Sequence, residues 1–175
     1  MTAARGSDTD PDRPLEGIYD AIARRVKVIA DERAPWPCRR GCDQCCRRLA
    51  ELPELTRAEW RRLWRGLERL DDAVIQQVRA RLARVGEERS PEGYHTCPFL
   101  DREHGACLVY EDRPAACRMY GFYVSRGDGR WCQIIEGEYG QSEIMWGNHD
   151  AVERDLNARF GPPISLLDWL AESGI

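Results

Sequence analysis

A chain of 175 residues with 42% hydrophobic residues, six Trp and six Tyr is long enough for one domain with a real core and too apolar for a disordered segment. No run reaches the apolar length that spans a bilayer, and the start Met1-Thr-Ala-Ala-Arg-Gly-Ser has no apolar stretch of a secretory signal, so a cytoplasmic protein without membrane attachment is expected. Net charge is −4 but uneven: Arg33 to Arg84 holds thirteen Arg against seven acids, Cys132 to Ile175 two Arg against eight acids, a pattern of solvated helix faces more than of a nucleic-acid surface.

Residues 1–13 read as a polar, Asp-rich tail and 14–175 as a single domain. From Pro14, the residues Leu15, Ile18, Tyr19, Ile22, Val26 and Ile29 recur at three- and four-residue steps and predict an amphipathic helix. Pro14 suits its first turn, Asp10 or Asp12 its cap, and Ala34-Pro35-Trp36-Pro37 stops it. Thr56-Arg-Ala-Glu59 is a capping box. The helix behind it puts Trp60, Leu63, Trp64, Leu67 and Leu70 on one face and Arg57, Arg61, Arg62, Arg65 and Arg69 on the other. Asp71 and Asp72 open a further helix with Val74, Ile75, Val78, Leu82 and Val85 along its stripe and Gly86 as its stop, so a helical hairpin is expected across 57–85.

Beyond a loop at Glu87 to Tyr94, two short apolar runs, Cys97 to Asp101 and Ala106 to Tyr110, flank a turn at Arg102 to Gly105 and predict a small β-hairpin. Asp112-Arg-Pro114 reads as a helix start with Asp112 as N-cap and Cys117 one turn in. Phe122 to Val124 and Trp131-Cys132 read as a short extended pair. A helix from His149 to Phe160, ended by Gly161-Pro-Pro163, and a terminal turn at Ser165 to Leu170 complete the chain. The fold class is mainly α with small irregular β elements: one metal-centred domain with a helical hairpin and Cys-rich turns.

The chemistry lies in eight cysteines. Cys38, Cys42, Cys45 and Cys46 are spaced C-x3-C-x2-C-C, and Cys97, Cys107, Cys117 and Cys132 follow at wider intervals. In a reducing compartment such a set is a soft-metal ligand set rather than a disulfide framework, and thiolate sulfur selects zinc or iron–sulfur clusters. On a helix the first four would project within about a third of a turn of one another; if Gly41 breaks the helix, Cys42-Asp-Gln-Cys45 is a C-x2-C knuckle instead. Adjacent Cys45 and Cys46 do not easily share one tetrahedral ion, which suggests two centres, or one ligand beside a reactive thiol. Arg39, Arg40, Arg47 and Arg48 flank the first group and Arg113 and Arg118 flank Cys117, placed to offset thiolate charge. His95 is the candidate non-cysteine ligand; His104 reads as a turn residue and His149 as a helix-start residue. The C-x3-C-x2-C core is also similar to the cluster signature of radical S-adenosylmethionine enzymes, but the chain lacks an alternating strand–helix series, and Gln44 stands where that signature usually has an aromatic.

The ordered motifs Cys38-x3-Cys42-x2-Cys45-Cys46, Leu55-Thr-x-x-Glu59, Cys97-Pro-Phe-Leu and Cys107-x-Val-Tyr-Glu-x-Arg113-Pro-x-x-Cys117-Arg resemble the YkgJ-type cysteine-cluster family, a bacterial zinc- or iron-chelating domain, over about residues 38–132. Seven cysteines match position by position, and Cys132 matches a looser downstream one. Members often carry Pro after the aromatic that follows Cys117-Arg; here Met119-Tyr-Gly-Phe122 stands instead. The resemblance implies metal chelation without a defined reaction, and a related cluster in flagellin lysine N-methylases makes methyl transfer conceivable, although no glycine-rich nucleotide loop is present.

The expected function is therefore metal binding through all eight cysteines, as iron–sulfur cluster or zinc with a tilt toward iron–sulfur, in electron transfer or redox sensing with a redox protein partner. One alternative is a metal-dependent enzyme, an oxidoreductase or methyl-transfer catalyst, which a pocket lined by Tyr110, Arg113 and Tyr120 beside the metal would favour. The other is a zinc-stabilised module that binds protein or nucleic acid through the arginines of 57–69.

Overall fold

The computed structural model describes residues 13–126, 132–140 and 143–173. Residues 1–12 of the expected N-terminal tail, with the capping aspartates, and Trp131 lie outside the described residues, while Arg13, expected in the tail, begins α1. In chain order the elements are α1 (Arg13–Glu32), α2 (Gln44–Arg47), β1 (Glu54–Leu55), α3 (Arg57–Glu68), α4 (Asp72–Leu82), β2 (Leu100–Asp101), β3 (Ala106–Cys107), a 3-10 turn (Tyr110–Asp112), α5 (Ala115–Met119), β4 (Tyr123–Val124), α6 (Gln133–Tyr139), β5 (Gly147–Asn148), α7 (His149–Phe160), β6 (Ile164–Ser165) and α8 (Leu166–Ser173). The chain is mainly helical, with strands only two residues long, and no helix among the described residues is long and apolar enough to cross a membrane.

Two apolar cores form. In the first, the α1 stripe of Leu15, Ile18, Tyr19, Ile22 and Ile29 packs on Ala115 and Met119 of α5, Ile135 of α6 and Leu156 of α7. In the second, Trp60, Leu63 and Leu67 of α3 meet Val78 and Leu82 of α4 and Leu166, Trp169 and Leu170 of α8, which makes α3 and α4 the expected hairpin. α3 belongs to both, because Ala58 packs in the first core and Trp60 in the second. The end of the chain is pinned over the start of α3: β1 pairs antiparallel with β6, and Trp169 Nε1 donates to the Leu55 carbonyl at 2.8 Å. β2 and β3 form the expected hairpin, Leu100 opposite Cys107.

The capping box is formed, with Thr56 Oγ1 accepting from Glu59 N and Glu59 Oε2 accepting from Thr56 N at 3.0 Å. The second carboxylate oxygen, Glu59 Oε1, reaches 56 residues along the chain to accept from Ala115 N at 2.9 Å. One buried carboxylate therefore satisfies the starts of both α3 and α5.

That contact explains a correction. Asp112 is not the N-cap of α5: the cap position is Pro114, which has no side-chain donor or acceptor to offer, and Glu59 supplies the missing acceptor. Asp112 instead ends the 3-10 turn, buried, and pairs with Arg62 and Arg69 on the polar side of α3. A second correction concerns Phe122 to Val124. Residues Tyr123 and Val124 pair in parallel with Gly147 and Asn148, and Cys132, expected opposite them, instead precedes α6, a short helix that sequence periodicity did not indicate. Gly147 fits this pairing because a Cβ there would lie 2.4 Å from the Tyr123 ring. α4 ends at Leu82, a turn before the expected stop at Gly86. α7 spans His149–Phe160 as expected, capped by the Asn148 side chain accepting from Ala151 N at 3.1 Å.

Gly66 lies mid-helix in α3 at the point where Asp112 comes in, and a Cβ there would sit 2.6 Å from Asp112 Oδ2. Gly66→Ala, although it raises helix propensity, is expected to lower stability by about 1–3 kcal/mol through overpacking. Urea unfolding followed by circular dichroism measures this; a variant as stable as the parent would show that Asp112 moves aside without loss.

Candidate metal centre

Trp36, buried at the end of the turn after α1, stacks on Phe122 at 5.6 Å and leans on Tyr139 at 4.7 Å and Trp146 at 6.0 Å, which fixes where the chain enters the cysteine run. From Cys38 the backbone reverses through Gly41, whose φ of 92° disfavours any residue with a side chain, and Cys42 N donates to the Arg39 carbonyl at 2.9 Å. The single turn of α2 follows. Neither a continuous helix nor an isolated knuckle describes the run: Cys38 and Cys42 lie on the turn, Cys45 and Cys46 on the helix.

The later cysteines are brought back by backbone pairing. Cys97 N donates to the Cys46 carbonyl at 2.7 Å, beside an antiparallel bridge between Leu49 and His95. Cys107 sits on β3, and Cys117 on α5. Cys38, Cys42, Cys45, Cys46, Cys97, Cys107 and Cys117 together line one cavity of about 140 Å³ between the two cores, with Tyr110, Arg113 and Tyr120 on its wall. Cys132 does not line it; it is buried in the first core, against which Cys38 also packs. All eight cysteines are free thiols.

Burial sets the electrostatics of Cys38, Cys107 and Cys117, and contacts between thiols set those of Cys45 and Cys46. Burial pushes the Cys38 thiol up to about 12, assisted by Cys45, Cys42 and Cys132, and pushes Cys117 up to about 12, assisted by Cys45 and Cys107. Cys45 is raised by a hydrogen bond to Cys46 and then by burial. For Cys46 the bond to Cys45 acts downward, but the bond to Cys97 and burial prevail and raise it. Cys107 is raised by burial. Arg113 opposes these shifts at Cys38, Cys45, Cys107 and Cys117 alike. Its guanidinium is held 3.5 Å over the Tyr110 ring, with Nε donating to the Tyr110 carbonyl at 2.9 Å.

The other flanking arginines turn elsewhere. Arg47 pairs with Asp43, Arg48 lies over Tyr94 at 4.5 Å, and Arg118 lies over Tyr19 at 4.2 Å and donates from Nε to the Arg113 carbonyl at 2.7 Å, bracing Arg113 from behind. Arg40 lies over Tyr110 on the face of the molecule, 3.8 Å from Glu111. Arg39 lines the cavity.

His95 is buried with Nδ1 3.1 Å from the Glu88 carbonyl and is not among the residues lining the cavity. His104 is a turn residue as read, bonded to Asp101 at 2.7 Å, and His149 begins α7. Two roles at residues already singled out escaped sequence reasoning. The Tyr120 carbonyl accepts from Cys38 Sγ at 3.4 Å, and Gly121, with φ of 80°, leaves the space that Cys38 fills, since a Cβ there would lie 3.2 Å from Cys38 Sγ. The only signal was the departure of Gly121 from the family's usual proline.

Among the described residues, no three His, Cys, Asp or Glu side chains already stand as a coordination set for a metal ion. The donor chemistry nonetheless fits a soft metal: half-buried sulfurs from four stretches of chain meet at one cavity, Cys45, Cys46 and Cys97 are linked thiol to thiol, and a fixed guanidinium faces them.

A thiol-lined cavity closed by distant segments defines a metal-chelating domain. The chain belongs to the CxxCxxCC family, described as a "putative zinc- or iron-chelating domain", which matches residues 37–147. The match runs past the 38–132 core indicated by the motifs and takes in α6 and the first residue of β5. No curated protein and no solved structure matches the chain.

Arg113→Leu removes the positive charge facing the thiols while keeping an apolar body over Tyr110. It is expected to weaken zinc affinity about 10–100-fold, measured by competition with a chromophoric chelator under anaerobic conditions. Unchanged affinity would reduce Arg113 to a packing residue.

Proposed function

We propose that the chain holds an iron–sulfur cluster or zinc through Cys38, Cys42, Cys45, Cys46, Cys97, Cys107, Cys117 and Cys132, and that it serves electron transfer or redox sensing with a protein partner. The convergence of seven of these cysteines on one cavity between two cores carries this reading. Bound metal would supply soft Lewis acidity or, as a cluster, one-electron chemistry. The chain's own part is to hold the sulfurs, to set Arg113 against their charge, and to keep the α5 ligand in place through Glu59. The metal-holding unit is the whole of 14–175, because α1 and α7 provide the apolar support under Cys38 and Cys132.

An enzymatic role, oxidoreductase or methyl transfer, is the second reading. It is favoured by Tyr110, Arg113 and Tyr120, which line the cavity together with the cysteines. Burial and then the thiols Cys132, Cys45, Cys38 and Cys42 hold the Tyr120 hydroxyl above its ordinary range, so it stays a neutral donor. Binding of nucleic acid through the arginines of 57–69 is disfavoured by the engagement of three of the five within the chain: Arg57 with Glu172 and Trp169, Arg62 with Glu16 and Asp112, and Arg69 with Asp112.

Anaerobic purification followed by metal analysis and visible absorbance tests the proposal. A brown protein with sulfur-to-iron charge-transfer bands is expected for the iron–sulfur form and a colourless protein with stoichiometric zinc for the zinc form. A folded chain that takes up neither metal would sink both.

A further inference from the structure

We propose that His95 is a positioning residue for the cysteine cavity: it holds Cys97 against Cys46 and so sets how tightly the chain retains metal, without lining the cavity itself. This rests on the chelation reading above and adds to it a residue, other than the sulfurs, on which metal retention depends.

Three backbone bonds tie the segment ending at Cys97 to the cysteine run. His95 N donates to the Leu49 carbonyl at 2.8 Å, Leu49 N donates to the His95 carbonyl at 3.0 Å, and Cys97 N donates to the Cys46 carbonyl at 2.7 Å. The Leu49–His95 pair is an isolated antiparallel bridge, not a rung of a longer ladder, and so brief a pairing holds its register poorly by itself. Register is what places Cys97. A slip of one residue in such a pairing puts each side chain on the opposite face, which would turn Cys97 away from the cavity that it lines.

The imidazole supplies the missing hold. His95 is 3% exposed, and its Nδ1 lies 3.1 Å from the Glu88 carbonyl. A carbonyl oxygen only accepts, so Nδ1 carries the proton of this bond. Glu88 belongs to the turns that continue α4: its amide donates to the Arg84 carbonyl at 3.0 Å, and Val85 between them is buried in the second core. One buried ring thus ties the bridge to the far end of the helical hairpin. The span between Glu88 and His95 is braced within itself, Ser90 N donating to the Tyr94 carbonyl at 2.7 Å and Arg89 Nη1 to the Gly93 carbonyl at 2.8 Å. Beyond Cys97 the chain is fixed by Arg81 of α4, whose Nη1 donates to the Leu100 carbonyl at 2.8 Å. Cys97 is therefore clamped between two contacts to the same helix and its continuation, and His95 is the clamp on the side of the cysteine run. An apolar side chain at 95 fills the space but takes the donor from the Glu88 carbonyl.

The test compares the parent full chain with His95→Leu, which keeps bulk without a donor, and His95→Asn, whose side-chain amide can donate near the place of Nδ1. Two quantities are read under anaerobic conditions: zinc affinity by competition with a chromophoric chelator, and, in the metal-free chain at one fixed pH, the rate at which iodoacetamide alkylates each cysteine, followed by mass spectrometry. H95L is expected to lose zinc affinity about 10–100-fold and to speed alkylation of Cys97 relative to Cys38, which packs on the first core. H95N is expected to return both toward the parent. Parent-like affinity in H95L overturns the proposal, and so does H95N that behaves as H95L. Alkylation that rises equally at Cys97 and Cys38, the mark of general loosening, overturns it too. If H95L loses its circular dichroism spectrum, His95→Phe, a ring without a donor, takes its place. A parent that binds no zinc overturns chelation and with it the effect on affinity, whereas the alkylation ratio needs no metal and separately decides whether His95 places Cys97.

Discussion

The arrangement depends on one buried carboxylate. Glu59 closes the start of α3 through Thr56 and, with its other oxygen, closes the start of α5 at Ala115. A short helix of five residues has too few internal bonds to hold its own position, so α5 depends on this contact and on Ala115 and Met119 in the core. α5 carries Cys117, and the turn before it carries Tyr110 and Arg113. The capping box is thus more than a local signal: it fixes the distance from the helical hairpin to one wall of the cavity.

Around that join the arginines and acids form a second brace. Asp112 accepts from Arg69 at the end of α3 and ion-pairs with Arg62, Arg62 also reaches Glu16 of α1, and both Arg62 and Arg118 lie over the ring of Tyr19. Burial raises the Tyr19 hydroxyl and keeps it neutral, so these cations sit on an aromatic face and not on an anion. The surplus of arginine between Arg33 and Arg84 is in good part spent inside the chain on such contacts. A basic count taken from sequence says nothing of this, because whether an arginine faces solvent or a carboxylate from another segment depends on tertiary placement.

Legibility in the sequence followed the range of the interactions. α1, α3, α4 and α7 were readable because the 3.6-residue stripe and the caps are local, and the β2–β3 hairpin because its turn is local. The cysteine run was readable as metal chemistry because four sulfurs in nine residues have few other uses. Asp112 misled because Asp before Arg-Pro is a good local cap, and only the arrival of Glu59 from α3 makes that cap unnecessary. The β4–β5 pairing was hidden because a two-residue parallel contact across more than twenty residues leaves no pattern, and Gly147 looks like any loop glycine until the Tyr123 ring is placed against it. His95 looked like a ligand for its position two residues before Cys97, yet its ring is turned to the Glu88 carbonyl.

The position of the cavity ties stability to chemistry. The two cores share α3, and the cavity between them is lined by seven cysteines, Tyr110, Tyr120 and three arginines among prolines and apolar side chains. Apolar cores cohere through burial alone, but a seam of thiols does not: neutral thiols make weak hydrogen bonds, and thiolates at this depth repel one another. A soft cation held by these sulfurs would replace the thiol protons with bonds stronger than those weak hydrogen bonds. The contacts that place Glu59, Arg113 and the cysteine of α5 are therefore the ones on which any metal taken up here would depend.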